Sequence, residues 1–352
     1  MLIYLLNILS IFCWASVLLL KQNSLRNKKI FCSVVSFQWI LLSGLRHFSI
    51  GSDTISYKDD FDGVLNTSWS THWDNFLNTY FGTYNMKAPG YNLLVKTFQI
   101  FSTDYQLFLI LIALAFTIPL GVFIYKNSKE PFVSFLIYSC LFYSFFAITG
   151  HRQTIATALV VLIGYEFIKK RKFIPFLILS IIAFTIHKSA IVFLPFYFFA
   201  PLKINKKSMS IYILLAIILL IFNRQIYTPL ATMLNYEGMI DTGITGTGNF
   251  VFMMILVGIT AIWRSKRILS SDPNFNYALN ALALAVIFSI LTLIDQSFMR
   301  IQQYFSLFLL VCIPKIIYTF KDRERVIVHA VATTTLILLF ISNSPKYLFF
   351  WQ

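Results

Sequence analysis

Charged side chains are scarce in this sequence. They make up 12% of its 352 residues, against roughly 25% in a soluble domain. A charged surface cannot be built around a composition that is 58% hydrophobic, so soluble nucleotide enzymes are excluded. Acids are scarcer than bases, with 14 Asp and Glu against 29 Lys and Arg and a net charge of +15. Cysteine is nearly absent. Cys13, Cys32, Cys140 and Cys312 lie far apart, each inside an apolar run, which excludes a secreted disulfide scaffold and gives no thiolate spacing for a metal. Internal repeats are missing as well, so a transporter built from repeated halves has no support.

What the chain does have is apolar sequence, in runs of about 15–20 residues, the length scale of membrane helices. The runs cover residues 2–20, 30–45, 105–125, 131–149, 153–168, 173–187, 189–201, 209–222, 249–263, 277–294, 301–318 and 326–343. The fold class is therefore all-α, a polytopic integral membrane protein with about twelve transmembrane helices. The surplus positive charge follows this division. Alternate connections, from Lys21–Lys29 through Lys169–Lys172 and Arg264–Arg267 to Lys315–Arg325, collect 20 of the 29 basic residues. By the positive-inside rule they face the cytoplasm, and no nucleic-acid partner is implied. Both termini then lie outside, and the first run, with no cleavage site after it, reads as a retained helix. Two large loops, residues 46–104 and 223–249, share the outer face, while the inner connections are short. Chemistry belongs at the outer face or inside the bundle. Within the first loop, residues 90–101 are apolar enough for a short interfacial helix.

Residues 173–201 carry an ambiguity of length. One helix would extend about 43 Å, place two basic clusters on opposite sides and invert every later connection. The alternative is two short helices, both anchored in the cytoplasmic interface, that meet at His187-Lys188-Ser189. Each reaches roughly 20–22 Å, short of a hydrocarbon core of about 30 Å. Their polar tip then sits inside the bundle, where it is costly unless it meets water, a partner or a substrate.

Other isolated polar groups fall at the outer ends of the runs: Arg46 with His47, Arg152 with Gln153 after Gly150-His151, Arg224, and Asp295 and Arg300 with Tyr304 one turn on. A solitary arginine beside a bilayer can be a snorkelling anchor. Four of them with a histidine suit a diphosphate whose other end is a lipid, because the guanidinium fork matches phosphate oxygens and keeps its charge. His187 is the natural proton acceptor, and Asp53, Asp59, Asp60 and Asp62 could hold sugar hydroxyls; these residues leave open which of them takes the proton. Gly243-Ile-Thr-Gly246-Thr-Gly248 lacks the lysine of a phosphate loop, and Asp60-Phe-Asp62-Gly63 lacks the closing ligand of a calcium loop.

Four segments carry a family resemblance. Arg46-His-Phe-Ser-Ile-Gly51-Ser-Asp53-Thr-Ile-Ser-Tyr57, His151-Arg152-Gln153-Thr-Ile-Ala156, Phe184-Thr-Ile-His187-Lys188-Ser189-Ala190 and Arg300…Tyr304 resemble signatures of the EpsG family, grouped with Wzy-type bacterial polysaccharide polymerases. The resemblance implies a multi-span, lipid-dependent glycosyltransferase at the outer (periplasmic) face of the bacterial inner membrane. It would polymerise undecaprenyl-diphosphate-linked oligosaccharide repeat units, as donor and acceptor, into a surface polysaccharide. No nucleotide cofactor and no metal is called for; membrane lipid, a chain-length regulator and a flippase are the candidate partners. The expected catalytic residues are His187, Arg152 and Arg300. Substrate contacts are expected from Arg46, Asp53, Tyr57, Gln153, Lys188, Arg224, Asp295 and Tyr304. An O-antigen ligase would use the same donor with another acceptor. A flippase or transporter would want charges along the middle of its spans, and almost none occur there.

Overall fold

The computed structural model describes residues 1–20, 24–82, 86–233, 247–343 and 346–352. Helix α1 (Leu2–Ala15) runs on as a π-helical turn to Leu20, and α2 (Leu25–Gly44) follows. Next come α3 (Thr54–Leu65), α4 (Trp69–Phe81), α5 (Pro89–Phe98) and the long α6 (Tyr105–Asn127). Helices α7 (residues 131–149) and α8 (residues 151–169) mix α- and π-helical stretches and meet at Gly150. Then α9 (Phe173–Ile186) leads through a 3-10 segment, Lys188–Phe193, into the short α10 (Phe196–Phe199). The chain continues as α11 (Lys206–Ile221), α12 (Asn223–Met233), α13 (Gly248–Ser271) and α14 (Asn276–Leu291). It closes with α15 (Met299–Ser306), α16 (Leu309–Ile317) and α17 (Asp322–Asn343). Residues 234–246, which include most of the glycine-rich run of the second loop, lie outside the described residues.

Among the described residues no strand forms, and one isolated antiparallel bridge joins Arg46 to Phe349. Among the described residues five helices are long and apolar enough to cross a membrane, and a sixth if the bent pair 296–306 and 309–317 is one span. The protein is thus all-helical and polytopic, with fewer full crossings standing on length and composition than the twelve apolar runs. The bend, 57°, falls at Leu307-Phe308, between the two helices. Inside α16, Pro314 has no N–H to give the carbonyl of Leu310 and its ring crowds that carbonyl; Ser134 Oγ donates to it instead, at 2.5 Å.

Contacts separate the connections into two faces. On one, Lys28 Nζ donates to the Ser128 carbonyl (2.7 Å), Lys169 Nζ to Asn127 Oδ1 (2.7 Å) and Arg267 to the Thr319 carbonyl (3.2 Å). These pairs join the basic connections that the charge pattern groups together. On the other face, His47 N–H donates to the Leu348 carbonyl (2.9 Å) and the ring of Tyr4 packs 5.3 Å from that of Tyr347. Both ends of the chain and residues 46–104 therefore share a face.

Between faces the helices touch closely. Lipid tails are as apolar as leucine, so association depends on packing and on small residues. A Cβ on Gly121 would lie 2.2 Å from Ser36 Oγ, and one on Gly44 would lie 3.0 Å from Ile110. These two contacts bring α2 against α6.

The first large loop is more ordered than its polar composition suggests. It forms three helices, where one interfacial helix is expected from the sequence. Tyr57, Phe61 and Val64 on α3 and Tyr91 and Val95 on α5 bury against Tyr105 and Phe108 of α6. Their spacing is helical, i, i+4, i+7, and the aspartates between them turn outward.

Candidate active site

The α9–α10 segment is a hairpin, not one crossing. Helix α9 ends at Ile186 because His187 is extended (φ −151°, ψ 110°), and the chain turns into the 3-10 segment. Arg171, just before α9, donates to the Tyr197 carbonyl (2.6 Å) and lies 4.3 Å from its ring. Phe173 and Tyr197 pack at 5.0 Å. Both feet therefore rest on the basic face, and a 14-residue α9 rises only about 21 Å. His187 forms the tip, outside every helix long enough to span. Its Nε2 is buried and has no hydrogen-bond partner among the described residues.

Three cations surround this tip. Arg300, Arg152 and Lys87 all act electrostatically on His187, and together with burial they hold the imidazole below its ordinary range. Lys87 is exposed, and desolvation, then Arg152 and Arg300, lower its own affinity for a proton; Asp60 and Asp53 oppose the shift. These like charges repel one another, and Asp60, 3.3 Å from Arg152, offsets part of that repulsion.

Arg152 is placed by aromatics. Its guanidinium lies 5.0 Å from the Tyr57 ring and 5.6 Å from the Tyr91 ring, and Nη2 is 3.3 Å from Asp60 Oδ2. Tyr57 in turn stacks on His151 at 4.3 Å and 16°. Lys87 is set by backbone. Ala88 has a φ of 55°, rare for a residue with a side chain, and turns the chain into Pro89 at the start of α5. A Cβ on Gly90 would lie 2.3 Å from Thr185 Oγ1 and 2.8 Å from the Thr185 carbonyl carbon. Only glycine lets α5 sit this tightly on α9, two residues before His187.

The remaining expected residues fall in a supporting layer or elsewhere. Arg46 does not face the cations: it is buried, bonded to the carbonyls of Ser43 and Ile148 (the latter at 3.0 Å), with Nη2 2.8 Å from His151 Nε2. With its fork occupied, it braces His151. Gln153 is buried and donates to the Arg300 carbonyl (2.5 Å), tying α8 to α15. Tyr304, fully buried, has its hydroxyl 3.1 Å from Ser189 Oγ and ties α15 to the hairpin. Asp295 caps the turn before α15, accepting from Ser297 N–H at 2.7 Å. Asp53 precedes α3 and is exposed, Lys188 follows His187 directly, and Arg224 is exposed on α12, away from the cluster's described contacts. Sequence reasoning missed Lys87, Tyr91 and the bracing role of His151. The signal for Lys87 was available: it is one of only nine basic residues outside the basic connections.

The four segments singled out in the sequence thus meet at one place. Residues 46–57 touch 151–152 through Arg46–His151, Tyr57–His151 and Arg152–Tyr57; Gln153 reaches Arg300; and Ser189 reaches Tyr304. A family model described as the EpsG family matches residues 29–351. The chain belongs to the EpsG family. No curated protein and no solved structure matches it. EpsG members are similar to Wzy-type polysaccharide polymerases, so the coarse reading of this EpsG chain is a polymerase-type, glycosyltransferase-like membrane protein of polysaccharide biosynthesis.

Proposed function

We propose that the chain is a glycosyltransferase that polymerises oligosaccharide repeat units linked to undecaprenyl diphosphate, working at the outer face of the bacterial inner membrane. The observation that carries this reading is the convergence of Lys87, Arg152 and Arg300 on a histidine whose Nε2 has no hydrogen-bond partner among the described residues. Three cations around one imidazole suit a diphosphate, and a donor already activated by diphosphate needs no nucleotide. The lipid anchor of such a donor matches a site sunk among membrane helices.

In the reaction we assign, the donor's diphosphate lies against the three cations. A hydroxyl of the acceptor repeat unit attacks the donor's anomeric carbon from the side opposite the leaving group. One carbon–oxygen bond forms as the carbon–oxygen bond to the diphosphate breaks, so the configuration inverts. The hydroxyl proton passes to His187 Nε2, and the departing polyprenyl diphosphate keeps the bonding pair. Arg152 and Arg300 stabilise the charge that develops on it. Asp60, half exposed and paired with Arg152, stands where it can accept from sugar hydroxyls.

The test uses purified protein in lipid nanodiscs with an undecaprenyl-diphosphate-linked repeat unit. A ladder of products longer by whole repeats is expected on a gel. Products capped at a single transfer onto another acceptor would favour a ligase, and unchanged substrate in the presence of folded protein would overturn the reading.

A further inference from the structure

The site described above lies at the tip of a helix whose outer side is bare. Helix α9 buries Phe176, Ser180, Ala183 and Ile186 and exposes Ile174, Ile178, Ile181 and Ile182, the last four at 63%, 52%, 54% and 45%. The exposed set follows one helical stripe and is made wholly of isoleucine. Other helices also expose apolar side chains, among them Ile259 on α13 and Leu338 on α17. What distinguishes the α9 stripe is where it ends. Its last exposed member, Ile182, lies five residues before His187, on which Arg300, Arg152 and Lys87 act. Above it, Tyr80 of α4 packs on Phe184 at 5.7 Å and reaches the Thr185 carbonyl at 3.4 Å. This contact covers the helix beyond Ile182 from above and leaves the flank at Ile178 and Ile181 exposed.

We propose that this stripe is the docking track for the polyprenyl tail of the lipid-diphosphate donor. The inference rests on the glycosyltransferase reading and adds to it the route and the binding face. An apolar chain with a diphosphate at one end needs an apolar surface that finishes at clustered cations. The α9 stripe supplies both in the right order, and the roughly 21 Å rise of the helix exceeds one leaflet's share of a hydrocarbon core of about 30 Å. The donor therefore enters sideways from the membrane, along α9 and below α4, and meets the cations without leaving the lipid phase.

The experiment places a photoreactive p-benzoylphenylalanine at Ile178 or Ile182 of the full chain, with the same residue at Ile259 or Leu338 as equally lipid-exposed controls. Each protein, in nanodiscs, is irradiated with fluorescent undecaprenyl diphosphate, with and without excess unlabelled undecaprenyl diphosphate. Labelling at 178 and 182 well above the controls, and abolished by competitor, is expected. Equal labelling at all four positions, or labelling that competitor does not reduce, means bulk lipid only and overturns the track. Crosslinked protein dimers at 178 or 182 instead of labelled monomer would assign the face to a second copy and overturn it as well. The ladder assay on the unsubstituted protein separates the two ideas. Polymer without specific labelling sinks the track alone, and specific labelling without polymer sinks the polymerase reading alone.

Discussion

His187 stands under the charges of Arg300, Arg152 and Lys87, and its lowered proton affinity fixes a sign for the pH profile. The neutral imidazole is the form that accepts a proton, and a depressed pKa keeps it neutral to lower pH. We expect kcat/KM for polymer formation to stay level from about pH 8 to about pH 5, passing the ordinary histidine value near 6.5 without a step; a fall centred near 6.5 would mean an unshifted base and overturn the lowered proton affinity. His187→Ala should leave abundance and donor binding intact and cut polymer at least about 100-fold. Lys87 sets the alkaline side. Its pKa is also lowered, so it loses its charge at lower pH than a free lysine, and kcat/KM for the donor should fall on that limb as pH rises. Lys87→Arg, charged throughout, should flatten the limb. Arg152 is a different case, because its flat guanidinium lies over Tyr57 and Tyr91 while bonded to Asp60. Arg152→Lys should be nearly as harmful as Arg152→Ala, measured as polymer yield at matched protein level. A fully active Arg152→Lys would mean that a point charge is enough.

At the scale of elements, the site depends on α5 resting on α9 with no side chain between them. Gly90→Val would drive carbon into Thr185, including its backbone, at a cost of about 1–3 kcal/mol for overpacking. Thermal unfolding of the variant should fall accordingly, and activity should fall further, because Lys87 and the His187 tip move apart. A variant with unchanged melting temperature and turnover would show that the approach is not needed. The hairpin itself was legible in the sequence: basic residues at both feet and 29 residues between Phe173 and Pro201 permit only a return to the same side. The three helices of the first loop were less so. Tyr57, Phe61 and Val64 sit at helical spacing, but Asp59, Asp60 and Asp62 interleave them, and an average over that stretch looks polar. The apolar face becomes visible only once α6 is there to cover it.

Over the whole molecule, the paired contacts put both chain ends and residues 46–104 on one face and the basic connections on the other. By the positive-inside rule we expect the basic face to be cytoplasmic. A reporter active only in the cytoplasm, fused after Gln352, should be silent, while the same reporter placed between Lys203 and Lys206 should be active. An active fusion at Gln352 would reverse the orientation and move the His187 site to the cytoplasm.

The sequence by itself determined the solvent, the helical class, the alternation of faces and the break at His187. Hydropathy and charge are local properties, and a membrane forces each short stretch to choose lipid or water. Which polar residues share the site was decided by tertiary structure alone. Arg46 and Gln153 are themselves motif residues, yet the approach of α7, α8 and α15 gives them carbonyls to bind and turns them inward. Lys87 belongs to no motif, yet the contact of Gly90 with Thr185, 95 positions further along, brings it to the tip of α9. Distances between residues that far apart are fixed by how helices pack, and no local pattern encodes them.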